Sequence, residues 1–126
     1  MLIHQQTVIM TTTCNFNFDW ARDMDVAITV CDTQGVIVYQ NDRSIEINCK
    51  DGRSMVGQSL MPCHNERSRA IIARMLNENV DNVYTITKHG RRKLIFQSPW
   101  RVDGKVCGLV ELSMFLPDSM PHYDRG

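Results

Sequence analysis

The sequence has no net charge, no long apolar run and no clustered cysteines. Its 126 residues carry 14 basic and 14 acidic side chains, so no surplus of positive charge is available to neutralise nucleic-acid phosphates. No apolar stretch approaches the roughly 20 residues that a membrane helix needs. Residues 1–6 also lack the basic start and apolar core of a signal peptide. These absences predict a cytoplasmic protein that binds neither nucleic acid nor a membrane.

The cysteines are odd in number and scattered along the chain. There are five, Cys14, Cys31, Cys49, Cys63 and Cys107, and no two are separated by only two residues. Such a set is poor material for a disulfide framework or a tetrahedral zinc site. Free cysteines commonly pack as small hydrophobic residues. The sequence therefore predicts reduced thiols and no metal site.

Motifs for catalysis are missing as well. The chain contains no G-x-S-x-G, no phosphate-binding loop and no HExxH. Acid–base catalysis needs a positioned pair of titratable groups. Among the candidates, His89 falls in a predicted turn and His122 in the tail, so neither has an evident partner. We predict that the protein is not an enzyme.

Length and patterning indicate one α+β domain. A chain of 126 residues buries about two-thirds of its unfolded surface, which is enough for one core. No repeat, linker or low-complexity tract divides it. Predicted strands cover 26–32, 36–40, 83–87, 93–98 and 106–115, with short helices or irregular structure in 41–57 and a longer helix in 65–79. Strands at both ends of a helical middle favour an antiparallel sheet with helices on one face.

The first residues are predicted to form an extension with a short cap helix. Phe16, Trp20 and Met24 recur every four residues, so a helix would align them on one side. Such a helix could cover an apolar surface of its own domain or of a partner. We divide the chain into an N-terminal extension (1–24), the domain (25–116) and a C-terminal tail (117–126).

Several motifs in this order resemble those of the PAS domain. Residues 28–41 are similar to its opening hairpin, in which a D-x-x-G turn (Asp32 to Gly35) leads to a strand that ends in a polar Asn41. Residues 55–60, MVGQSL, are similar to the family's I-G-K-S-L step before the long helix. Cys63-His64 resembles a C-H-P-P variant, and the last two strands are joined at residues 103–104. The resemblance implies a five-stranded antiparallel sheet of order 2-1-5-4-3 with helices on one face.

The resemblance also implies a sensory module that binds a small molecule and forms a homodimer. One departure is that Met114, Phe115 and Leu116 replace the family's Asp-Ile-Thr ending, which couples many PAS domains to an output helix. The chain ends about ten residues later, so we expect a separate signalling protein to carry the output. The ligand and the output partner are not identified by the sequence.

Alternation along the last predicted strand divides its residues between two faces. The even-numbered set from 106 to 114 includes Gly108, and the odd-numbered set from 107 to 115 includes Leu109. Because Glu111 belongs to the odd-numbered set, that set is predicted to face outward. The even-numbered set would then line a cavity, where Gly108 leaves room. The pocket candidates are His64, Ser68, Ile72, Tyr84, Gln97, Gly108, Val110 and Leu112. Tyr84 and Gln97 are equally compatible with an outward position.

The predicted outer face suggests an interface. Leu109 and Phe115 would be exposed there, and exposed apolar groups on a small domain indicate a partner surface. We expect the aromatic side chains of the N-terminal segment to cover this face: Phe16, Phe18 and Trp20. We expect a homodimer that uses the outer face and the N-terminal segment.

The sequence leaves the cofactor unknown. His64 precedes the long helix, near the position from which some PAS domains supply an axial haem ligand. The alternative is a histidine that hydrogen-bonds locally at a helix start. A flavin is not expected, because residues 61–66, MPCHNE, lack the N-C-R-F-L-Q motif of light-sensing relatives. Besides the sensor, three alternatives stay open: an interaction module with a filled core, a haem carrier, and a small isomerase or lyase.

Overall fold

Two β-rich stretches flank the helical middle of the chain, and they pair into one sheet. The computed structural model describes residues 18–126. The strands are β1 (Ala27–Asp32), β2 (Ile37–Gln40), β3 (Asn82–Lys88), β4 (Arg91–Val102) and β5 (Lys105–Phe115). The helices are α1 (Asp42–Asn48) and α2 (Glu66–Glu78), with short 3₁₀ helices at Phe18–Ala21 and Met61–Cys63.

The sheet has the predicted order β2-β1-β5-β4-β3, and all of its pairs are antiparallel. The α+β class and the strand order are confirmed. β5 pairs with both β1 and β4, so it is the central strand. The predicted strand 93–98 is shorter than β4, which continues to Val102, the residue paired with Lys105 of β5.

Turn chemistry explains each of the three hairpins. In the first, the Asp32 carboxylate accepts backbone N–H groups of Gln34 at 2.8 Å and Val36 at 3.0 Å, which is the local bonding that favours Asp in turns. The other two turns consist of residues 89–90 and 103–104, and all four residues have positive φ angles. Such two-residue turns match the twist of antiparallel strands.

Asn41 begins α1 and also holds the chain that enters the sheet. Its side chain is fully buried, at 0% exposure. The Oδ1 atom accepts the N–H groups of Ser44 at 3.0 Å and Ile28 at 2.9 Å. The Nδ2 group donates to the carbonyl oxygens of Ala21 at 3.0 Å and Val26 at 2.7 Å. One amide therefore caps a helix and fixes the segment that leads into β1.

The long helix α2 lies within the predicted range 65–79 and begins after the cap residue Asn65. Asn65 Oδ1 accepts the N–H of Ser68 at 2.8 Å, and Asn79 closes the helix in the left-handed conformation. Met75 is the buried residue of the helix. In the part of the chain that is described, no helix is long and apolar enough to span a bilayer.

The helices lie on the odd-numbered face of β5, so the predicted faces were inverted. Leu109, which is 7% exposed, packs in one cluster with Cys31 and with Met75 of α2. Leu109, Glu111 and Ser113 therefore point towards the helices, and Val110 and Leu112 point away from them. The prediction failed because Glu111 was assumed to need water. Its carboxylate is instead hydrogen-bonded by Gln97 on the same face.

Gly108 makes room for Trp100 and not for a cavity. The two residues are paired across β4 and β5, and the Trp100 indole N–H donates to the Cys31 carbonyl on β1 at 3.0 Å. A Cβ atom at position 108 would lie 2.5 Å from Trp100 Nε1 and 1.9 Å from that carbonyl oxygen. The predicted pocket role of Gly108 is therefore wrong.

The segment before β1 contains less helix than predicted. A four-residue 3₁₀ helix, Phe18–Ala21, is followed by a turn. Trp20 is 62% exposed and Met24 is exposed too, so these two do not form a buried stripe. Phe16 and the ambiguous residues 1–13 lie outside the described part of the chain.

A cavity between the sheet and the helices

A cavity of about 260 Å³ lies between the inner face of the sheet and the helical layer. Its floor comes from β1, β2, β4 and β5, and its walls come from α2 and the segment before it. Asn48 and Cys63 are exposed, so the cavity reaches the surface beside them. The lining residues are Thr29, Cys31, Ile37, Gln40, Asn48, Met55, Leu60, Cys63, His64, Ile72, Met75, Gln97, Leu109, Val110 and Glu111.

One end of the cavity is apolar. Cys31, Met75 and Leu109 are buried in one cluster, against which Leu60 and Ile72 pack. Burial raises the pKa of the Cys31 thiol, because the charged thiolate would be poorly solvated there. The thiol is therefore inert at neutral pH, and this end of the cavity supplies hydrophobic contact.

A chain of hydrogen bonds crosses the inner face from β3 to β5. Asn82 Nδ2 donates to Gln97 Oε1 at 2.9 Å, and Gln97 Nε2 donates to Glu111 Oε2 at 2.7 Å. Asn82, Gln97 and Glu111 are cross-strand partners. The chain fixes the orientation of the Gln97 amide and brings the Glu111 carboxylate to the cavity wall.

A second polar cluster lies where β1 and β2 meet α1. The hydroxyl groups of Thr29 and Ser44 are 2.5 Å apart, and Gln40 Nε2 donates to the Ser44 hydroxyl at 3.1 Å. Gln40 Oε1 accepts the N–H of Met55 at 2.8 Å. Gln40 is buried, and these two bonds satisfy the hydrogen-bonding groups of its amide. The residue also lines the cavity.

His64 lies at the cavity wall in one tautomer. Its Nδ1 is 2.6 Å from the carbonyl oxygen of Leu60. A carbonyl only accepts hydrogen bonds, so Nδ1 carries the proton and Nε2 of the neutral ring is an acceptor. This contact is the local hydrogen bond at a helix start that the sequence analysis gave as the alternative to a haem ligand.

Four of the eight pocket candidates border this cavity: His64, Ile72, Gln97 and Val110. The Val110 side chain points to the opposite face of the sheet, so Val110 borders the cavity with its backbone. Ser68 is half-buried in the first turn of α2, and Leu112 points to the opposite face of the sheet, so neither reaches the cavity. Tyr84 is 42% exposed and interacts with Gln97 and Glu111; its partial burial and the Glu111 charge raise the pKa of its hydroxyl. It does not line the cavity either.

The sequence analysis missed Glu111, Gln40 and Thr29. Glu111 stands between Val110 and Leu112 in the central strand, and a charged residue in an apolar run is more informative as a buried polar group than as a sign of exposure. Gln40 precedes Asn41 and ends β2. No local pattern identifies Thr29, because its partner Ser44 comes from α1.

Of the five interface candidates, Leu109 is wrong because it is buried in the core. Trp20 and Phe115 are exposed. The Phe115 ring is covered in part by the Arg91 guanidinium, 4.0 Å from the ring centre, and by the Lys93 ammonium at 5.0 Å. Phe16 and the Phe18 side chain lie outside what the structure describes, so their interface role stays a prediction.

A second recess, of about 310 Å³, lies between the β1–β2 turn and α2. Thr33, Gln34 and Asn77 are polar side chains of its wall, and no titratable group from the described part of the chain lines it. It lacks the buried hydrogen-bond chains of the first cavity.

The lining of the first cavity does not suit haem. The polar side chains of Gln97 and Glu111 occupy the wall that an apolar macrocycle face would contact. Across residues 18–126, no three His, Cys, Asp or Glu side chains are grouped to hold a metal ion.

Comparison with known proteins gives one family. The sequence model of that family, described as PAS fold, matches residues 22–114. No curated protein matches the chain. A sensory box sensor histidine kinase from Vibrio cholerae is 13% identical, with a TM-score of 0.58 over 77% of this chain and 86% of that one.

Two other similar structures are proteins that bind ligands. VqmA of Vibrio cholerae, solved bound to DPO, is 15% identical with a TM-score of 0.58, over 76% of this chain and 55% of that one. The Aer2 receptor of the same organism, a dual PAS-heme oxygen sensor, is 15% identical with a TM-score of 0.52, over 73% of this chain and 95% of that one. At these identities the likeness concerns the fold alone.

Proposed function

This chain belongs to the PAS fold family, and from that premise we propose that it is a sensory module that binds a small molecule in the cavity below α2. The cavity carries the proposal. It joins an apolar end to two hydrogen-bonded polar clusters, which is the composition of small-molecule sites. An interaction module with a filled core would leave no such volume.

The comparisons support a sensory role over a catalytic one. The similar structures include a sensor histidine kinase and the oxygen sensor Aer2. Ligand binding would act by stabilising one arrangement of sheet and helices over another, to the extent that the ligand binds the two with different affinity. A separate signalling protein would detect that difference. The free cysteines of residues 18–126 support a reducing, cytoplasmic setting.

A matched pair of variants tests ligand binding. Ile72→Trp places a large ring in the cavity wall, and Ile71→Trp places the same ring on the exposed side of α2. We expect native mass spectrometry to detect a bound small molecule on the wild type and on Ile71→Trp, and none on Ile72→Trp. Equal retention by both variants, or none by the wild type purified from cell extract, contradicts the proposal.

We also propose a homodimer formed through the outer face of the sheet. With the faces corrected, this surface carries half-buried apolar side chains on its central strands: Val30, Leu94, Phe96, Val110, Leu112 and Met114. Apolar surface of this extent indicates a partner. The set differs from the predicted one, because Leu109 lies in the core and Phe115, opposite Lys93, belongs to the odd-numbered face of β5.

Sedimentation equilibrium tests the dimer. We expect the wild type to sediment as a dimer and Phe96→Glu as a monomer, because the carboxylate would be desolvated in the interface. Val56→Glu is the control, since Val56 is an exposed loop residue away from the sheet face. A wild type that is monomeric at tens of micromolar contradicts this part of the proposal. The division into 1–24, 25–116 and 117–126 is retained as part of the same proposal.

A further inference from the structure

We propose that the cavity selects small molecules that present a hydrogen-bond donor, in particular an ammonium or N–H group, to the Glu111 carboxylate. The inference rests on the proposed ligand binding and names the chemical class of the ligand. It starts from Glu111, the one carboxylate that residues 18–126 contribute to the lining.

The Glu111 carboxylate has acceptor capacity to spare. Within residues 18–126, one hydrogen bond reaches it, from Gln97 Nε2 to Oε2 at 2.7 Å, and no ion pair includes it. An ionised carboxylate accepts about four hydrogen bonds and donates none. Glu111 is half-buried, so its other oxygen can accept a hydrogen bond from water or from a donor on a bound molecule.

The Gln97 amide is fixed in one orientation. Its Oε1 is held by Asn82 Nδ2 at 2.9 Å, which leaves Nε2 directed at Glu111. If the amide flipped, its oxygen would face the carboxylate and its NH₂ would face the Asn82 NH₂. Both contacts would be repulsive, so the polar chain fixes Glu111 as an acceptor.

The charges around the cavity favour a cation over an anion. Among residues 18–126, no Lys or Arg side chain lines it. Lys93 interacts electrostatically with Glu111 but lies outside the lining and against the Phe115 ring. A ligand carboxylate would be placed near Glu111 without a compensating cation, and such a like-charge contact excludes wrong ligands.

His64 adds a second acceptor. With Nδ1–H donated to the Leu60 carbonyl, Nε2 of the neutral ring is left as an acceptor, and His64 is one of the residues that line the cavity. The cavity volume of about 260 Å³ lies just below the range of about 300–1,000 Å³ typical of small-molecule pockets, so it suits a small compound such as one ring with a short substituent. The ligand class is therefore a small ring compound that carries N–H or ammonium donors.

Three probes of nearly equal size test this class: 2-phenylethylamine, 2-phenylethanol and 3-phenylpropionate. They carry a cationic donor, a neutral donor and an anion on the same ring. Titrations of the full ¹⁵N-labelled chain, followed by the amide resonances of the cavity strands, give the three affinities. We expect the amine to bind about tenfold or more tightly than the acid, with the alcohol between them, because hydrogen bonds to charged groups are the stronger ones.

Glu111→Gln is the decisive variant. It keeps an oxygen for the Gln97 N–H but removes the charge, so the preference for the amine over the acid should fall to within about threefold. Glu78→Gln is the control, because Glu78 lies exposed on α2 and pairs with Arg74; it should keep the wild-type order.

The outcomes separate this inference from ligand binding itself. If the alcohol shifts the cavity resonances but the acid binds as tightly as the amine, or Glu111→Gln keeps the wild-type preference, the selectivity is refuted while the cavity remains a binding site. If none of the three probes shifts those resonances in the wild type, both proposals fail.

Discussion

Replacing Asn41 by alanine should destabilise the fold more than the loss of an ordinary helix cap. The side chain makes four hydrogen bonds at 0% exposure: two accepted from N–H groups and two donated to carbonyl oxygens. Alanine removes all four at once. The perturbation therefore separates α1 and the segment before β1 from the sheet without changing any charge.

The magnitude follows from the individual groups. Loss of the cap on Ser44 costs about 1 kcal/mol, and the Ile28 N–H left unpaired beneath the segment costs a further 1–3 kcal/mol or so. Loss of the hydrogen bonds to the Ala21 and Val26 carbonyls adds a smaller cost, because a carbonyl oxygen that lacks one hydrogen bond is less unfavourable than an unpaired N–H group. We expect a loss of about 3–5 kcal/mol, which is a large part of the roughly 5–15 kcal/mol that holds a domain folded.

Urea unfolding followed by circular dichroism measures this loss. Asn65→Ala is the control, because Asn65 caps α2 with one exposed hydrogen bond and should cost about 1 kcal/mol. The slope of free energy against urea should match the wild type if the unfolding stays two-state. If Asn41→Ala costs no more than Asn65→Ala, the reasoning about the buried amide is refuted.

Two further variants test packing and charge. Gly108→Ala should cost about 3 kcal/mol or prevent folding, because its Cβ would lie 1.9 Å from the Cys31 carbonyl oxygen; a thermal melt within a few degrees of the wild type contradicts this. Burial, followed by the charges of Lys88 and Arg43, lowers the pKa of Lys93 below 10.5. The folded state thus binds the Lys93 proton less tightly than the unfolded state does. The resulting loss of folding stability is present in full below the lowered pKa and disappears as pH rises towards 10.5. Lys93→Met should therefore unfold at higher urea than the wild type at pH 7, with a smaller difference at pH 10; a difference that is the same at both pH values refutes it.

The strands and α2 were predictable because their signals are local. The β-branched run from Val26 to Val30 and the Asp32 turn specify the first hairpin within a dozen residues. Asn65 and Glu66 mark the start of α2. The strand order came from the resemblance to a family, since the pairing of β1 with β5 joins residues about eighty positions apart.

The orientation of the faces could not be predicted from alternation alone. A period of two divides residues 106–115 into two sets, but both contain apolar side chains, so the decision depended on Glu111. That residue faces inward because Gln97, fourteen positions away, donates to it. Gln97 is the partner of Glu111 because the register of β4 and β5 places the two residues opposite each other. No local sequence pattern predicts that register. The same holds for Trp100, whose acceptor is 69 positions away.

Gln40 and Asn41 are consecutive residues with different surroundings. The amide of Gln40 belongs to the cavity wall, and the amide of Asn41 holds the carbonyl oxygens of Ala21 and Val26. Adjacent Cα atoms are separated by one rigid peptide unit of about 3.8 Å. The cavity wall and the side chain that anchors the segment before β1 are thus separated by a single peptide unit, so a backbone shift at Gln40 would be passed directly to Asn41 and its hydrogen bonds.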